Sequence, residues 1–189
     1  MRVIAGIARG RTLISPSGIK TRPTGDRMKE DLFNIISPLV PGSQFLDLFC
    51  GSGAIGIEAL SRKAKFAYFV DNSKDAIKAV NKNLQNTRFT DTAQVLHMDA
   101  SLAIQQIKHL QFNIIFMDPP YDSSEAEKIV KQAALLLSED GILILECPLN
   151  AKIDSTNLVE YRRKKYSQMQ FIFFNKGCDR DDSNISRQF

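Results

Sequence analysis

The sequence predicts an α/β fold, a doubly wound, Rossmann-like sheet of mostly parallel strands with helices on both faces. From Ser43 onward apolar strands alternate with helical segments, and the loop after the first strand is rich in glycine. The connections are also long enough for the crossovers that parallel strands require, and right-handed crossovers put helices on both faces of the sheet. Residues 44–49 (QFLDLF), 66–71 (FAYFVD), 93–99 (AQVLHMD), 112–118 (FNIIFMD) and 141–147 (GILILEC) read as five buried strands. Helices are predicted over residues 54–62, 74–85, 102–108 and 124–137. Asn72 or Ser73 caps the second of these, in which Ala76, Ile77, Val80 and Leu84 share a face, and Ser124 with Glu127 forms a capping box on the last.

Ahead of the sheet, residues 2–14 (RVIAGIARGRTLI) predict a short hairpin bending at Gly6 and Gly10. Thr24 is placed to cap a helix over residues 25–36, where Met28, Leu32, Ile35 and Ile36 form an apolar stripe that ends at Pro38 and Pro41-Gly42. After the fifth strand, residues 158–166 and 169–175 follow each other with no room for a helix, which predicts an antiparallel pair at one sheet edge. The chain thus divides into a basic extension (residues 1–40), one α/β domain (41–176) and a frayed polar tail (177–189).

With 189 residues, 43% of them hydrophobic, a domain of this kind needs neither disulfides nor a metal for its core. The three cysteines and two histidines are scattered without ligand spacing, which argues against zinc and fits a reducing cytoplasm. No apolar run is long enough for a membrane span, and the amino terminus lacks a signal core. The net charge of +4 is unevenly placed. Residues 1–29 hold seven basic side chains (Arg2, Arg9, Arg11, Lys20, Arg22, Arg27, Lys29) against Asp26, whereas the rest of the chain is slightly acidic. A basic segment on an acidic body suits contact with a polyanion, although a solvated arm is the plain alternative.

Ligands of doubly wound sheets bind beyond the carboxyl ends of the strands, and Asp47, Asp71, Asp99 and Asp118 all lie at or near such ends. Gly51, Gly53 and Gly56 spell G-x-G-x-x-G, with Asp71 twenty residues after Gly51, a pattern that by itself fits a dinucleotide. Two features favour S-adenosylmethionine instead. A carboxylate at Asp47, before the glycines, suits a cationic ligand and opposes a diphosphate. The fourth strand also runs into Asp118-Pro119-Pro120-Tyr121. Successive prolines fix an extended turn and leave carbonyls free as acceptors. Acceptors on both hydrogens of a nucleobase amine would favour a pyramidal nitrogen aimed at a methyl group, and Tyr121 could stack on the base.

DLFCGSGAIGIEALSR (residues 47–62), VDNS (70–73), HMDA (97–100) and MDPPY (117–121) resemble the motifs of class I S-adenosylmethionine-dependent methyltransferases. The opening MRVIAGIARGR and TRPTGDRMKEDLFNII (residues 21–36) are similar to the bacterial RsmD family, which methylates N2 of a guanine in 16S ribosomal RNA. That resemblance implies a seven-stranded sheet with an antiparallel last strand, S-adenosyl-L-methionine as cofactor without a metal, and a small-subunit particle or assembly intermediate as substrate of a cytoplasmic monomer. It also implies site roles. Asp118, Pro119, Pro120 and Tyr121 hold the guanine amine. Gly51 and Gly53 pass under the methionine part of the cofactor and Asp47 lies near its ammonium. Asp71 takes both ribose hydroxyls, Asn72 beside it belongs to the cofactor site, Asp99 and Ala100 meet the adenine, and Thr24 and Arg27 close the pocket. Arg2, Arg9, Arg11, Lys20 and Arg22 contact RNA. Gly25, where the family often has a larger polar residue, and Cys50, at a variable position, depart from the pattern without bearing on the chemistry.

The run Arg162–Lys165 reads equally as RNA surface or as edge protection. His97 and His109 read as structural or exposed, and Phe171, Phe173 and Phe174 as core. The rival functions are a DNA adenine-N6 or protein glutamine methyltransferase, a non-catalytic RNA-binding assembly factor and a nicotinamide-dependent oxidoreductase. The DNA enzymes carry a target-recognition region that this chain has no length for, and the glutamine enzymes have asparagine where Asp118 stands.

Overall fold

A computed structural model describes residues 1–16, 25–120, 123–151, 153–154 and 158–177. Seven strands, β1 (Gln44–Leu48), β2 (Phe66–Asp71), β3 (Ala93–His97), β4 (Phe112–Met117), β5 (Leu137–Pro148), β6 (Val159–Lys165) and β7 (Met169–Asn175), form one sheet in the order β3-β2-β1-β4-β5-β7-β6. The first five are parallel, and β7 pairs antiparallel to both β5 and β6. The reversal leaves the expected late pair at one edge, with β7 inserted between β5 and β6.

The helices are α1 (Asp26–Ile36), α2 (Ala54–Ser61), α3 (Lys74–Thr87), α4 (Ala100–Gln106) and α5 (Ser123–Ala133). Several boundaries differ from expectation for local reasons. Helix α1 has Gly25, not Thr24, at its N-cap position and no side-chain cap bond. Asp99 caps α4 by accepting from the Ser101 amide at 2.8 Å, so that helix starts two residues early. Helix α5 gives way to a 3-10 turn over Ala134–Leu136, and β5 begins at Leu137 with a register shift between Phe112 and Ile114 on β4. Ser73, not Asn72, caps α3 through the Ala76 amide. The predicted hairpin is a loop closed by one bridge, Arg2 to Thr12, with the Val3 amide donating to the Arg11 carbonyl and that of Gly10 to the Val3 carbonyl. Thr24, the capping box of Ser124 and the polar tail from Cys178 lie outside the described residues or side chains.

Strand residues alternate between two apolar layers. Phe45, Phe69, Phe116, Ile144, Phe171 and Phe173 pack against α1, α2, α3 and the amino-terminal arm; Leu46, Leu48, Ile115, Met117, Leu143, Leu145, Ile172 and Phe174 pack against α4 and α5. The arm contributes Val3, Ala8 and Leu13 to the first layer. On α1 the buried face is Lys29, Leu32, Phe33 and Ile36, with Met28 and Ile35 only partly covered. The buried face is thus turned from the predicted stripe: Leu32 and Ile36 belong to both, while Lys29 and Phe33 take the places expected of Met28 and Ile35.

Candidate active site

The alternation that builds the first layer also builds the site. Three strands repeat the same step: Phe45 is followed two residues later by Asp47, Phe69 by Asp71 and Phe116 by Asp118. Each carboxylate therefore projects from the face covered by α1, α2 and α3, beyond the phenylalanine that anchors its strand. Register sets their depth. Asp47 lies level with Phe69 and Phe116, so Asp71 and Asp118 stand one pleat further out, on either side of it. That is a step of about 6.6 Å along the strands. It explains why Asp47 is buried while its two neighbours are not, Asp71 being half-buried and Asp118 exposed. The fifth strand adds Glu146, two residues beyond Ile144 on the same face and buried. Glu146 lies inside the predicted strand 141–147, apart from the glycine and proline motifs that mark the other carboxylates in the sequence.

The carboxylates have different partners. Asp47 Oδ2 accepts the Gly56 amide at 2.8 Å, which ties β1 to the first turn of α2. Burial drives its carboxyl well above the ordinary range against the pull of that amide, and the charges of Asp71 and Asp118 push it further. Asp71 accepts the Gly51 amide at 2.9 Å on Oδ2 and that of Ser73 at 2.8 Å on Oδ1, spanning the glycine turn and the start of α3. The Asp118 carboxyl meets solvent, yet the surrounding chain displaces enough water to carry its pKa to about 6. Pro119 behind it is buried and Pro120 is exposed.

Each glycine of the turn meets a separate requirement. Gly51 (φ 53°) and Gly53 (φ 74°) are left-handed, which L side chains adopt only at a cost. A Cβ on Gly51 would meet nothing within 4 Å, so the backbone there is open to an approaching ligand. A Cβ on Gly53 would lie 2.4 Å from Val80 Cγ2, and one on Gly56 2.4 Å from Phe69 Cε1, so these two glycines let α2 and α3 close on the sheet. Phe49, before the turn, also has positive φ (61°). Asn72 is exposed beside Asp71, and its carbonyl lies 3.2 Å from His97 Nε2. Asp99 and the buried Ala100 stand at the end of β3, where Asp99 already serves as a helix cap. The structure thus brings Asp47, Gly51, Gly53, Asp71, Asn72, Asp99, Ala100, Asp118, Pro119 and Pro120 to one edge of the sheet; Tyr121 and Thr24 lie outside the described residues. Arg27 is exposed on α1 and is close enough to Tyr166 to act on its hydroxyl electrostatically.

The basic arm is more than a tether. Lys29 is fully buried, 3.5 Å from Glu58 Oε2, and its Nζ donates to the Arg2 carbonyl at 2.6 Å. Glu58, also fully buried, accepts the amides of Ile4 and Ala5 at 2.7 and 2.9 Å and Arg62 Nε at 2.8 Å. Ser61 receives the Ala8 amide and donates to the Ala5 carbonyl, and a Cβ on Gly6 would lie 1.8 Å from the Ser61 carbonyl oxygen. Lys29 is therefore no surface cation, and Arg2 is 3.3 Å from Asp26. Arg9 and Arg11 are exposed and make no ion pair among the described residues, while Lys20 and Arg22 lie outside them. On β6, Arg163 pairs with Glu160 at 2.6 Å and Lys164 lies 4.0 Å from Asp31. The sequence signal for these positions was available: Glu58, Lys29 and Asn83 are strongly polar residues on helix faces that are mostly apolar.

No helix among the described residues is long and apolar enough to cross a membrane. Residues 1–175 match the protein family described as conserved hypothetical protein 95. YlbH of Bacillus subtilis is 37% identical over 182 residues, spanning 93% of this chain and 99% of that protein. Ribosomal RNA small subunit methyltransferase D of Haemophilus influenzae is 39% identical over 145 residues, or 76% of this chain and 73% of the relative. Among solved structures, yhhF from Escherichia coli superimposes with a TM-score of 0.83 at 31% identity, covering 93% of this chain and 97% of that one.

Proposed function

The chain belongs to the family of ribosomal RNA small subunit methyltransferase D, and from that premise we propose that it methylates the exocyclic N2 amine of a guanine in 16S ribosomal RNA. S-adenosyl-L-methionine is the methyl donor, and the substrate is a small-subunit particle or assembly intermediate. The enzyme works as a cytoplasmic monomer, with residues 1–40 as the RNA-docking extension of a transferase domain over residues 41–176. The observation that carries this reading is the stagger of carboxylates at one sheet edge, Asp47 deep and Asp71 and Asp118 one pleat out on either side.

The donor set suits the cofactor. The open backbone of Gly51 leaves room for the methionine part, and the second lone pairs of Asp71 can accept ribose hydroxyls. Burial above all, with the charges of Asp71 and Asp118 adding to it, discourages ionisation of Asp47, and a cationic ligand beside it would favour the carboxylate. A diphosphate would disfavour it. Asp99, Ala100 and Asn72 border the adenosine, and Arg27 with Thr24 closes the pocket.

When bound, the cofactor supplies a methyl group on a cationic sulfur. The protein holds the target amine with acceptors, the Asp118 carboxylate and the carbonyls of Pro119 and Pro120, while Tyr121 stacks on the base plane. With its hydrogens so held, the nitrogen directs its lone pair toward the methyl carbon. Methyl transfer would leave a surplus proton on the nitrogen, and Asp118, its pKa raised to about 6 by desolvation, is the group placed to accept that proton and release it to solvent. The test is methylation of small-subunit particles from a strain lacking the enzyme, followed by identification of the labelled nucleoside. N2-methylguanosine is expected, and N6-methyladenosine would overturn the guanine assignment. Calorimetry that showed tight NAD(P) binding and none of S-adenosylmethionine would overturn the whole reading.

A further inference from the structure

Asn83 is a fully buried asparagine on α3 whose side chain bonds to two segments far apart in sequence. Its Oδ1 accepts the Ile14 amide at 2.8 Å, and its Nδ2 donates to the Ile14 carbonyl at 2.9 Å and to the Ser52 carbonyl at 2.9 Å. Ile14 lies near the end of the described arm, and Ser52 lies between the two left-handed glycines of the cofactor turn. A second link runs beside the first. Met1, whose carbonyl accepts the Leu13 amide, places Sδ 3.9 Å from Ser52 Oγ. One end of the arm loop therefore meets Ser52 directly, through Met1, and the other reaches it through Asn83. The other side-chain anchors of the arm, Lys29 on α1 and Glu58 and Ser61 further along α2, make no hydrogen bond to Ser52 among the described residues.

We propose that Asn83 is a positioning residue that fastens the arm to the cofactor turn, so that RNA held by the arm and cofactor held by the turn each tighten the binding of the other. This rests on the function proposed above. The turn is closed by the Gly53 amide on the Cys50 carbonyl and tied to β2 by the Cys50 amide on the Val70 carbonyl; from side chains, Asp71 holds the Gly51 amide and Asn83 the Ser52 carbonyl. Ordering that turn costs conformational entropy, and a ligand that binds after the cost has been met binds more tightly. RNA that immobilises the arm through Arg9 and Arg11 immobilises Ile14, hence Asn83, hence Ser52. Coupling of this kind is reciprocal, so the factor by which RNA tightens cofactor binding equals the factor by which cofactor tightens RNA binding.

S-adenosylhomocysteine serves as a non-reacting probe, with unmethylated small-subunit particles as the RNA. In the wild type, its Kd should fall about tenfold when particles are saturating, with an equal fall in particle Kd when the probe is saturating. In Asn83→Ala both factors should shrink to within about twofold, even where each separate affinity also drops; a merely structural loss would weaken both ligands and leave the factor intact. The wild type gives a check that needs no variant: the probe should slow amide hydrogen exchange at Val3, Gly10 and Leu13 in the arm. Two ligands that bind independently in the wild type, or an unchanged coupling factor in Asn83→Ala, would overturn the coupling. Absence of probe binding in the wild type would instead overturn the proposed function.

Discussion

Gly51 and Gly53 share a turn and a backbone handedness, but alanine should affect them differently. At Gly53 the added methyl collides with Val80, so Gly53→Ala should lower the Tm sharply as well as abolish cofactor binding. At Gly51 only the left-handed backbone resists, a cost of about 1–2 kcal/mol. Gly51→Ala should fold and yet bind S-adenosylmethionine at least tenfold more weakly, because the new methyl projects into space the ligand uses; calorimetry beside a melting curve separates the two effects. Asp118 gives a pH signature. Its folded-state pKa is raised to about 6, so between the ordinary carboxylate range and pH 6 the native protein binds more protons than the unfolded chain, and this group's effect makes stability fall as pH rises. Asp118→Asn removes the effect. The Tm of the variant minus that of the wild type should grow from pH 4 to pH 6 and then level off, and a difference independent of pH would contradict the assignment. The glycines and aspartates of the site were legible in the sequence because period-two strands end in them. Their unequal depth was not, because it depends on which residue of β1 pairs with which residue of β2 and β4.

Helix α2 holds together elements that the sequence presents as separate. Its eight residues are all buried, and Glu58 is the one acid among them. Removing one partner of a buried ion pair leaves the other uncompensated, typically at about 3–5 kcal/mol. Arg62 still reaches Glu58, so Lys29→Ala should fall at the lower end, near about 3 kcal/mol by chemical denaturation. Glu58→Gln should release the arm more selectively, with faster exchange of the Ile4 and Ala5 amides and unchanged protection in β1 and β4. Helix α1 was legible as an element from its spacing, but its buried face was misjudged. Lys29, beside the predicted stripe, reads as solvent-facing until the acid that pairs with it, 29 residues away, is brought beside it. The late strands were legible for the opposite reason, since two short extended runs with no helix between them can pair only antiparallel.

Across the whole molecule, the sequence correctly separated a basic front from a slightly acidic body but overstated how much of that charge faces solvent. Lys29 is spent inside, and Arg2 is close to Asp26. The cations of the described arm left for phosphate are Arg9 and Arg11. Replacing both with alanine should weaken RNA binding and reduce the slope of log Kd against log salt by about two, one for each lost phosphate contact, with S-adenosylmethionine affinity in the absence of RNA unchanged. A slope that did not move would place the RNA elsewhere on the surface. The manner in which the arm is held has a further consequence for any attempt to transplant it. Grafted onto another sheet of the same architecture, residues 1–16 would bring their arginines but not their footing. The acceptor at 58, the hydroxyl at 61 and the amide at 83 sit on two different helices of the host, so specificity for RNA in this scaffold can be exchanged only as an inseparable set of distant positions.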